Sequence, residues 1–187
     1  IKKPDYYKSL DGTCSESENS TTDNSIRGSF DPGKCTESQK EVAKTVYKFL
    51  TEEMNPRLTS EQAIGLLVNI MNECSFDYTE SDGIGYGLIQ WSDTADCSRK
   101  TDLIQWCNAH GYKYNTLEGQ LKRIESEFTT DTKYWGPGKP DGFLACTDAH
   151  SATLYYLDNN EKPAGVYRDR RVASIDADII AVKALLQ

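Results

Sequence analysis

Residues 72–91 read NECSFDYTESDGIGYGLIQW, and this stretch holds the strongest indication of fold and chemistry in the chain. Glu73 ends an apolar helical pattern, so its carboxyl group is expected at the edge of the core. A glycine-rich turn and the pair Gln90-Trp91 follow at a distance that lets the chain fold back over that group. The pattern predicts a partly buried acid beside an aromatic-edged groove, an arrangement typical of glycosidic bond cleavage.

The composition is that of one globular domain, with a small appendage at most. The 187 residues carry a formal net charge of −8, which disfavours binding to polyanions, so we expect no nucleic-acid partner. No apolar run approaches the ~18 residues that span a membrane. The basic cluster at residues 168–171 is interrupted by an aspartate, which favours a solvated helix start. The first residues contain neither a methionine nor an apolar leader, which favours an excised domain or a processed form.

The cysteine pattern favours disulfides in an oxidising compartment. The chain has six cysteines and no CxxC pair, which argues against a zinc ribbon and a thioredoxin-type motif. Connectivity cannot be deduced from spacing, and six reduced, buried cysteines are the alternative reading. In one possible connectivity, Cys14–Cys35 closes the N-terminal loop and Cys97–Cys107 ties two neighbouring segments. Cys74–Cys146 then bridges distant parts of the domain.

The chain divides into an N-terminal polar segment, residues 1–36, and a helical domain, residues 37–187. Residues 15–25 contain no apolar side chain, so the first segment is predicted to be a linker or a disulfide-closed loop. In the domain, capping boxes at Ser38 with Glu41 and at Thr59 with Gln62 predict two helix starts. The second helix runs into Glu73.

The rest of the domain predicts a mainly α fold with one small β element. Helical patterns cover residues 98–109, 117–128, 147–159 and 172–186, and residues 135–142 read as a loop. The alternate glycines at 83, 85 and 87 predict a turn or a short hairpin. The expected class is therefore α+β, mainly α, with a small β-hairpin or turn lining the active-site groove.

The glutamate and the residues after it resemble the glutamate motif of the lysozyme-like superfamily, which includes goose-type lysozymes and lytic transglycosylases. Cys74 replaces the usual serine after the glutamate, and Ile89 stands where methionine is common. The match is closer to the phage tail lysozyme family, whose pattern is Asn-Ile-x-x-Glu, then Gly-Tyr-Gly-Leu-x-Gln-Trp, then Arg. Here that pattern is residues 69–73, residues 85–91 and Arg99, and the resemblance extends over residues 38–187.

This resemblance implies a lysozyme-like peptidoglycan hydrolase that cleaves the β-1,4 glycan backbone, with Glu73 as general acid. Gln90 would hydrogen-bond the sugar or position the catalytic groups, and Gly85, Tyr86 and Gly87 would line the groove. Tyr86 and Trp91 would offer ring faces to pyranoses, with plain packing as the alternative. The expected partners are peptidoglycan glycan strands and other domains or tail proteins of a larger assembly. No cofactor or metal is expected, and the protein would act outside the cell or on a virion.

A second catalytic carboxylate is not identified by the sequence. An inverting hydrolase needs a base ~6.5–9.5 Å from the acid and a retaining one needs a nucleophile ~5 Å away. Asp82 and Asp93 flank the glycine-rich motif and are the main candidates, ahead of Asp77 and Glu80. If none of these carboxylates acts as the second catalytic group, the N-acetyl group or the 6-hydroxyl of the substrate could take that role. Attack by the 6-hydroxyl gives the 1,6-anhydro sugar of a lytic transglycosylase.

Two other classes compete with the glycosidase. A Cys-His peptidase or amidase is disfavoured, because His110 and His150 stand in no recognisable signature. A zinc peptidase lacks a histidine pair at ligand spacing. A non-catalytic glycan-binding or structural tail module would keep the groove without needing Glu73, and this alternative stays open.

Overall fold

The computed structural model describes residues 35–187 except for residues 96 and 138, so nearly all of the predicted N-terminal segment lies outside it. In the described residues, seven α-helices follow one another: α1 (Glu37–Lys48), α2 (Ser60–Cys74), α3 (Arg99–His110), α4 (Leu117–Thr129), α5 (Lys139–Leu144), α6 (Ala149–Tyr156) and α7 (Gly165–Leu185). A π-helical turn extends α1 over Phe49–Glu53, and another extends α6 over Leu157–Glu161. None of these helices is long and apolar enough to cross a membrane.

Local capping fixes where the first two helices begin. At α2 the predicted box is confirmed: the Gln62 N–H donates to Thr59 Oγ1 at 3.2 Å, and the Thr59 N–H donates to Gln62 Oε1 at 3.0 Å. At α1 the same motif forms two residues before the predicted position, from Thr36 and Gln39. Each box satisfies N–H groups that a helix start leaves without intrahelical partners.

Helix α2 is the centre of the core and carries the predicted acid in its last turn. It packs against α6 and α7, and its residues from Gln62 to Met71 are all buried. The buried Asn69 amide donates to the Thr153 carbonyl at 3.2 Å, which ties α2 to α6. Each buried leucine or isoleucine contributes ~1.5–3 kcal/mol, so the position of α2 is strongly fixed.

Two predicted boundaries are wrong, and one of them matters for the site. Helix α7 begins at Gly165 and not near Val172, so residues 168–171 lie within the helix. Arg171 is largely buried against α2, and the prediction of a solvated helix start fails for this residue. The predicted loop at residues 135–142 also contains the start of α5, with Pro140 in the first turn, where a proline is tolerated.

The glycine-rich segment is a turn, and the predicted β-hairpin is absent from the described residues. Tyr86 and Trp91 exchange both backbone hydrogen bonds at 3.0 Å, as a hairpin pair would. Between them Gly87 and Gln90 have φ values of 78° and 48°, both left-handed. Such residues leave the extended conformation, so no ladder continues from this pair. The mainly α prediction is confirmed, and of the two predicted alternatives for this segment the described residues show the turn and not the β-hairpin.

The three predicted disulfide pairs are also wrong, because each includes a free thiol. Cys35, Cys74, Cys107 and Cys146 are all free. Cys74 is fully buried and its S–H group donates to the Leu88 carbonyl at 3.5 Å. Burial raises the pKa of this thiol, so Cys74 behaves as a small apolar residue between α2 and the glycine-rich turn.

Candidate active site

Glu73 sits where α2 ends and the chain turns sharply. Ser75 and Phe76 follow with φ values of 51° and 64°, and two successive left-handed residues direct the chain away from the helix axis. The Glu73 side chain is 23% exposed. Its carboxyl group therefore lies at the edge of the core and is partly open to solvent, as the sequence predicts.

Arg171 of α7 holds this carboxyl group. Its Nη1 donates to Glu73 Oε1 at 2.7 Å, and its Nη2 donates to Asn69 Oδ1 at 2.9 Å. Asn69 is fixed in turn, because its amide nitrogen donates to the Gly65 carbonyl at 2.9 Å. The pKa of Arg171 is raised, since the nearby Glu161 and Glu73 carboxylates more than offset the lowering that burial causes. The guanidinium is a fixed positive charge beside the predicted acid.

A second carboxyl group, Glu161, faces the same guanidinium. It ends the π-helical turn after α6, a kind of turn that recurs at functional sites. Its side chain is 7% exposed, and its Oε2 lies 2.9 Å from Arg171 Nη2. Burial raises the pKa of Glu161 to about 8; Arg171 opposes this shift, while the charge of Glu73 adds to it. The structure thus brings Glu73 and Glu161 together on one cation.

Neither Arg171 nor Glu161 was identified as a site residue from the sequence. Both fall in segments that the family resemblance includes, at residues 160–163 and 170–173, and that was the only available signal. Their roles depend on how α6 and α7 pack against α2, which a local pattern does not contain.

The glycine-rich turn packs beside α2, and its own side chains hold its shape. Gln90 Nε2 donates to the Gly87 carbonyl at 2.9 Å, and a Cβ at Gly85 would lie 2.5 Å from Gln90 Oε1. Gln120 Oε1 accepts the Leu88 N–H at 2.9 Å, and a Cβ at Gly87 would collide with it. The Gln90 amide is therefore engaged within the turn, and its contact with a sugar stays a prediction.

The two aromatic candidates have different environments. Tyr86 is partly exposed and packs against Tyr114 with 5.5 Å between ring centroids. Trp91 is fully buried, and its Nε1 donates to Glu127 Oε1 at 2.8 Å. The packing alternative therefore holds for Trp91, whose ring presents no face to a pyranose, while the partly exposed Tyr86 ring also has Lys100 Nζ 5.8 Å from its centroid.

The two candidate second carboxylates stabilise local turns. Asp82 Oδ1 accepts the N–H groups of Ile84 at 2.9 Å and Gly85 at 2.7 Å. Asp93 Oδ1 accepts the Thr101 N–H at 3.1 Å, and its Oδ2 accepts the Thr101 hydroxyl at 2.6 Å. Such side-chain to backbone bonds are typical of turns and helix starts. Both side chains thus have a structural explanation.

Behind the turn lies a second charged cluster. Glu127 accepts hydrogen bonds from Arg123 Nε and Arg99 Nη2, both at 3.1 Å, in addition to the bond from Trp91. Arg99 also donates to Asn160 Oδ1 at 2.8 Å. This cluster connects the glycine-rich turn to the residue that precedes Glu161, so it supports the site without opening onto it.

The histidines and potential metal ligands do not form a competing site in the described part of the chain. His110 stacks on Trp106 with 4.2 Å between ring centroids, and the exposed His150 lies 2.8 Å from Asp176. No group of three or more His, Cys, Asp or Glu side chains among the described residues could hold a metal ion.

A comparison with known protein families assigns the chain to one of them. The family model for phage tail lysozyme matches residues 41–174. The chain belongs to the phage tail lysozyme family. The matched range includes Glu73, the glycine-rich turn, Glu161 and Arg171, and family membership indicates a lysozyme-like function directed at peptidoglycan and suggests association with a virion. A comparison with curated proteins returns no match.

Proposed function

We propose that the chain cleaves the β-1,4 glycan backbone of peptidoglycan and that Glu73 is the general acid. The observation that carries the proposal is the Glu73 carboxyl group, partly open to solvent at the end of α2 and held by Arg171 at 2.7 Å. Cleavage of a glycosidic bond needs a proton at the leaving oxygen, and a positioned acid accelerates it by roughly 10²–10⁴-fold.

Exposure distinguishes Glu73 from its neighbour Glu161. A group that protonates a polymer must reach the polymer, and the Glu73 side chain is the more exposed of the two. The Cys74–Leu88 contact holds the glycine-rich turn against the end of α2, so Gly85, Tyr86, Gly87 and Gln90 form one wall of the proposed groove. Trp91 supports this wall from within the core.

The proposed mechanism uses a single acid. Asp82 and Asp93 are engaged in turns, which favours a route where the substrate or water completes the reaction. Attack by water gives a reducing end, as in a muramidase. Attack by the 6-hydroxyl of the substrate gives a 1,6-anhydro end, as in a lytic transglycosylase.

Clearing of purified peptidoglycan by wild type, Glu73→Gln and the control Glu41→Gln tests the proposal. Glu41 lies exposed on α1, so its variant should clear at the wild-type rate. Glu73→Gln should be slower by roughly 10²–10⁴-fold. Equal rates for Glu73→Gln and wild type would refute the role of Glu73, and no clearing by any variant would favour a non-catalytic glycan-binding or structural tail module. Mass spectrometry of the products separates reducing from anhydro ends.

A further inference from the structure

We propose that the first two turns of α7 form a second wall of the glycan groove, with Tyr167 as the residue that binds a sugar ring. The inference rests on the proposed cleavage of peptidoglycan by Glu73, and it concerns how the polymer is held beside that acid. The exposed pair Val166 and Tyr167 is called the α7 platform below.

The start of α7 extends past the end of α2. The two helices are antiparallel, because Lys183 lies 3.3 Å from Glu61 in the first turn of α2. Near the other end of α2, the Asn72 amide donates to Asp178 at 3.1 Å. Helix α2 stops two residues after Asn72, whereas α7 reaches back from Asp178 to Gly165, which is about 20 Å of helix. The first turns of α7 therefore project beyond the last turn of α2.

The α7 platform is an exposed apolar surface on this projecting part. The buried residues of α7 begin at Ile175, and before it Val166 is 62% exposed and Tyr167 is 46% exposed. Adjacent exposed apolar side chains beside a reactive group are typical of a ligand-binding surface. Arg168 holds this part of the helix in place, because its guanidinium donates to the two carboxylate oxygens of Asp158 at 2.6 and 2.8 Å.

Helical spacing places Tyr167 on the side of α7 that faces the proposed acid. Tyr167 precedes Arg171 by four residues, so the two side chains lie one above the other on the same face of the helix. Arg171 is the residue whose Nη1 donates to Glu73 Oε1 at 2.7 Å. Tyr167 therefore lies one turn, about 5–6 Å along α7, beyond the residue that holds the acid.

The end of α2 lies between the α7 platform and the glycine-rich turn. Glu73 contacts α7, whereas the next residue, Cys74, contacts Leu88 of the turn. Successive residues of a helix point about 100° apart, so the two walls approach α2 from different sides. The glutamate thus has a tyrosine-bearing wall on each side, with Tyr86 on the turn and Tyr167 on α7.

The chemistry of the α7 platform fits a sugar ring. A pyranose has an apolar C–H face and a polar rim, and a tyrosine offers an apolar ring with a hydroxyl group at its tip. The Arg170 guanidinium carbon lies 6.0 Å from the centre of the Tyr167 ring, so a positive charge lies beside the ring in a chain of net charge −8. The occupant is therefore a sugar of the anionic cell wall and not a second copy of the chain, which the net charge repels.

Binding of a soluble hexamer of β-1,4-linked N-acetylglucosamine tests the second wall. The parent is Glu73→Gln, which should not cleave the oligomer, and calorimetry gives Kd. Adding Tyr167→Ala should raise Kd about tenfold, because truncation removes the ring contact. Tyr167→Phe and Tyr167→Trp keep a ring and should stay within about threefold of the parent. The matched control is Ile180→Ala, since Ile180 is 70% exposed on the same helix, about two and a half turns beyond Arg171.

Several outcomes would overturn the proposal. Equal Kd values for the parent, Tyr167→Ala and Ile180→Ala would do so, and so would a parent that does not bind the oligomer. A change in the oligomeric state of Tyr167→Ala with an unchanged Kd would assign the α7 platform to a second copy of the chain. In the folded parent, the ring resonances of Tyr167 should shift as the oligomer is added, and unshifted resonances would refute the contact without any substitution in α7.

Kinetics separate contact with the substrate from a structural role. In the chain that retains Glu73, Tyr167→Ala should raise KM for soluble peptidoglycan fragments about tenfold and leave kcat within about twofold, because the ring contact is made equally in the ground state and the transition state. A lower kcat with KM unchanged would contradict this role. Full clearing activity in Glu73→Gln would instead refute the proposed function, while the ring resonances of Tyr167 would still decide whether α7 contacts the glycan.

Discussion

Among the described residues, two arginine–carboxylate clusters lie beside the glycine-rich turn and the end of α2, and they differ in their ratio of acids to cations and in access to solvent. The open cluster is Glu73, Glu161 and Arg171, with two acids on one cation. The closed cluster is Glu127, Arg99 and Arg123, and Asp131 adds a second acid 2.7 Å from Arg123 Nη1. The closed cluster is therefore balanced, with two acids for two cations.

The difference indicates which cluster can do chemistry. In the closed cluster the Glu127 side chain is 2% exposed and accepts three hydrogen bonds, so it is enclosed by its partners and does not face solvent. In the open cluster Glu73 is partly open to solvent, and burial raises the pKa of its neighbour Glu161. Both clusters are built from carboxyl and guanidinium groups, so their exposure, and not their chemical identity, distinguishes them.

The same substitution in each cluster should have its largest effect on different quantities. Glu127→Gln leaves Arg99 and Arg123 buried with too little negative charge and should cost about 3–5 kcal/mol in the free energy of unfolding. Glu73→Gln changes a side chain that is 23% exposed and keeps an oxygen that can accept from Arg171, so it should cost less than about 1 kcal/mol. Urea unfolding midpoints measure both. Similar losses in the two variants would mean that the clusters do not differ as described.

The open cluster should also make stability depend on pH. The pKa of Glu161 is about 8 in the folded chain, against an ordinary value of 4.5. Between these values the folded state binds more protons at Glu161 than the unfolded state, so the contribution of Glu161 to stability is fully present below pH 4.5 and is lost as the pH rises through 8. Glu161→Gln should remove this fall, which is on the order of a few kcal/mol. The free energies of unfolding of wild type and Glu161→Gln at pH 4.5 and 9 measure this fall. The same pH dependence in both proteins would contradict the raised pKa of Glu161.

Replacing one arginine in each cluster with lysine should also distinguish the two clusters, with smaller effects than the Glu→Gln variants. A lysine ammonium cannot span two carboxyl groups as the planar guanidinium does. Arg171→Lys should therefore lower kcat/KM by about tenfold, as expected from misplacing the acid. Arg99→Lys loses bonds to Glu127 and Asn160 and should cost about 1–3 kcal/mol of stability with activity per folded molecule unchanged. Lost stability in Arg171→Lys together with lost activity in Arg99→Lys would mean that the two clusters have the opposite roles.

Local features of the site could be predicted from the sequence, whereas its long-range partners could not. The Thr59–Gln62 cap and the placement of Glu73 follow from helical periodicity and short-range hydrogen bonds. Arg171 reaches Glu73 across 98 positions of sequence, and its role depends on helix packing. The buried environment of Glu161 exists only because α6 and α7 pack around it.

The glycine-rich turn shows a second limit of sequence patterns. The alternation of glycines predicts either a turn or a short hairpin, and it does not predict the left-handed φ of 48° at Gln90 that accompanies the turn. A tryptophan can line a groove or pack in a core, so the residue type at position 91 does not predict which of the two it does. In the structure Trp91 is buried in the core, and Glu127, 36 positions away on α4, accepts its indole N–H.

The smallest expected effects belong to the two carboxylates outside both clusters. Asp82→Asn and Asp93→Asn keep an oxygen that can accept the turn N–H groups, so each should cost about 0.5–1 kcal/mol of stability. In the single-acid mechanism each should also keep kcat/KM within about threefold of wild type, because neither group is asked to stabilise the transition state. Peptidoglycan clearing with stability-matched controls measures this. A loss of about 10²-fold or more in either variant, without a matching loss of stability, would identify that aspartate as the second catalytic group and replace the single-acid mechanism.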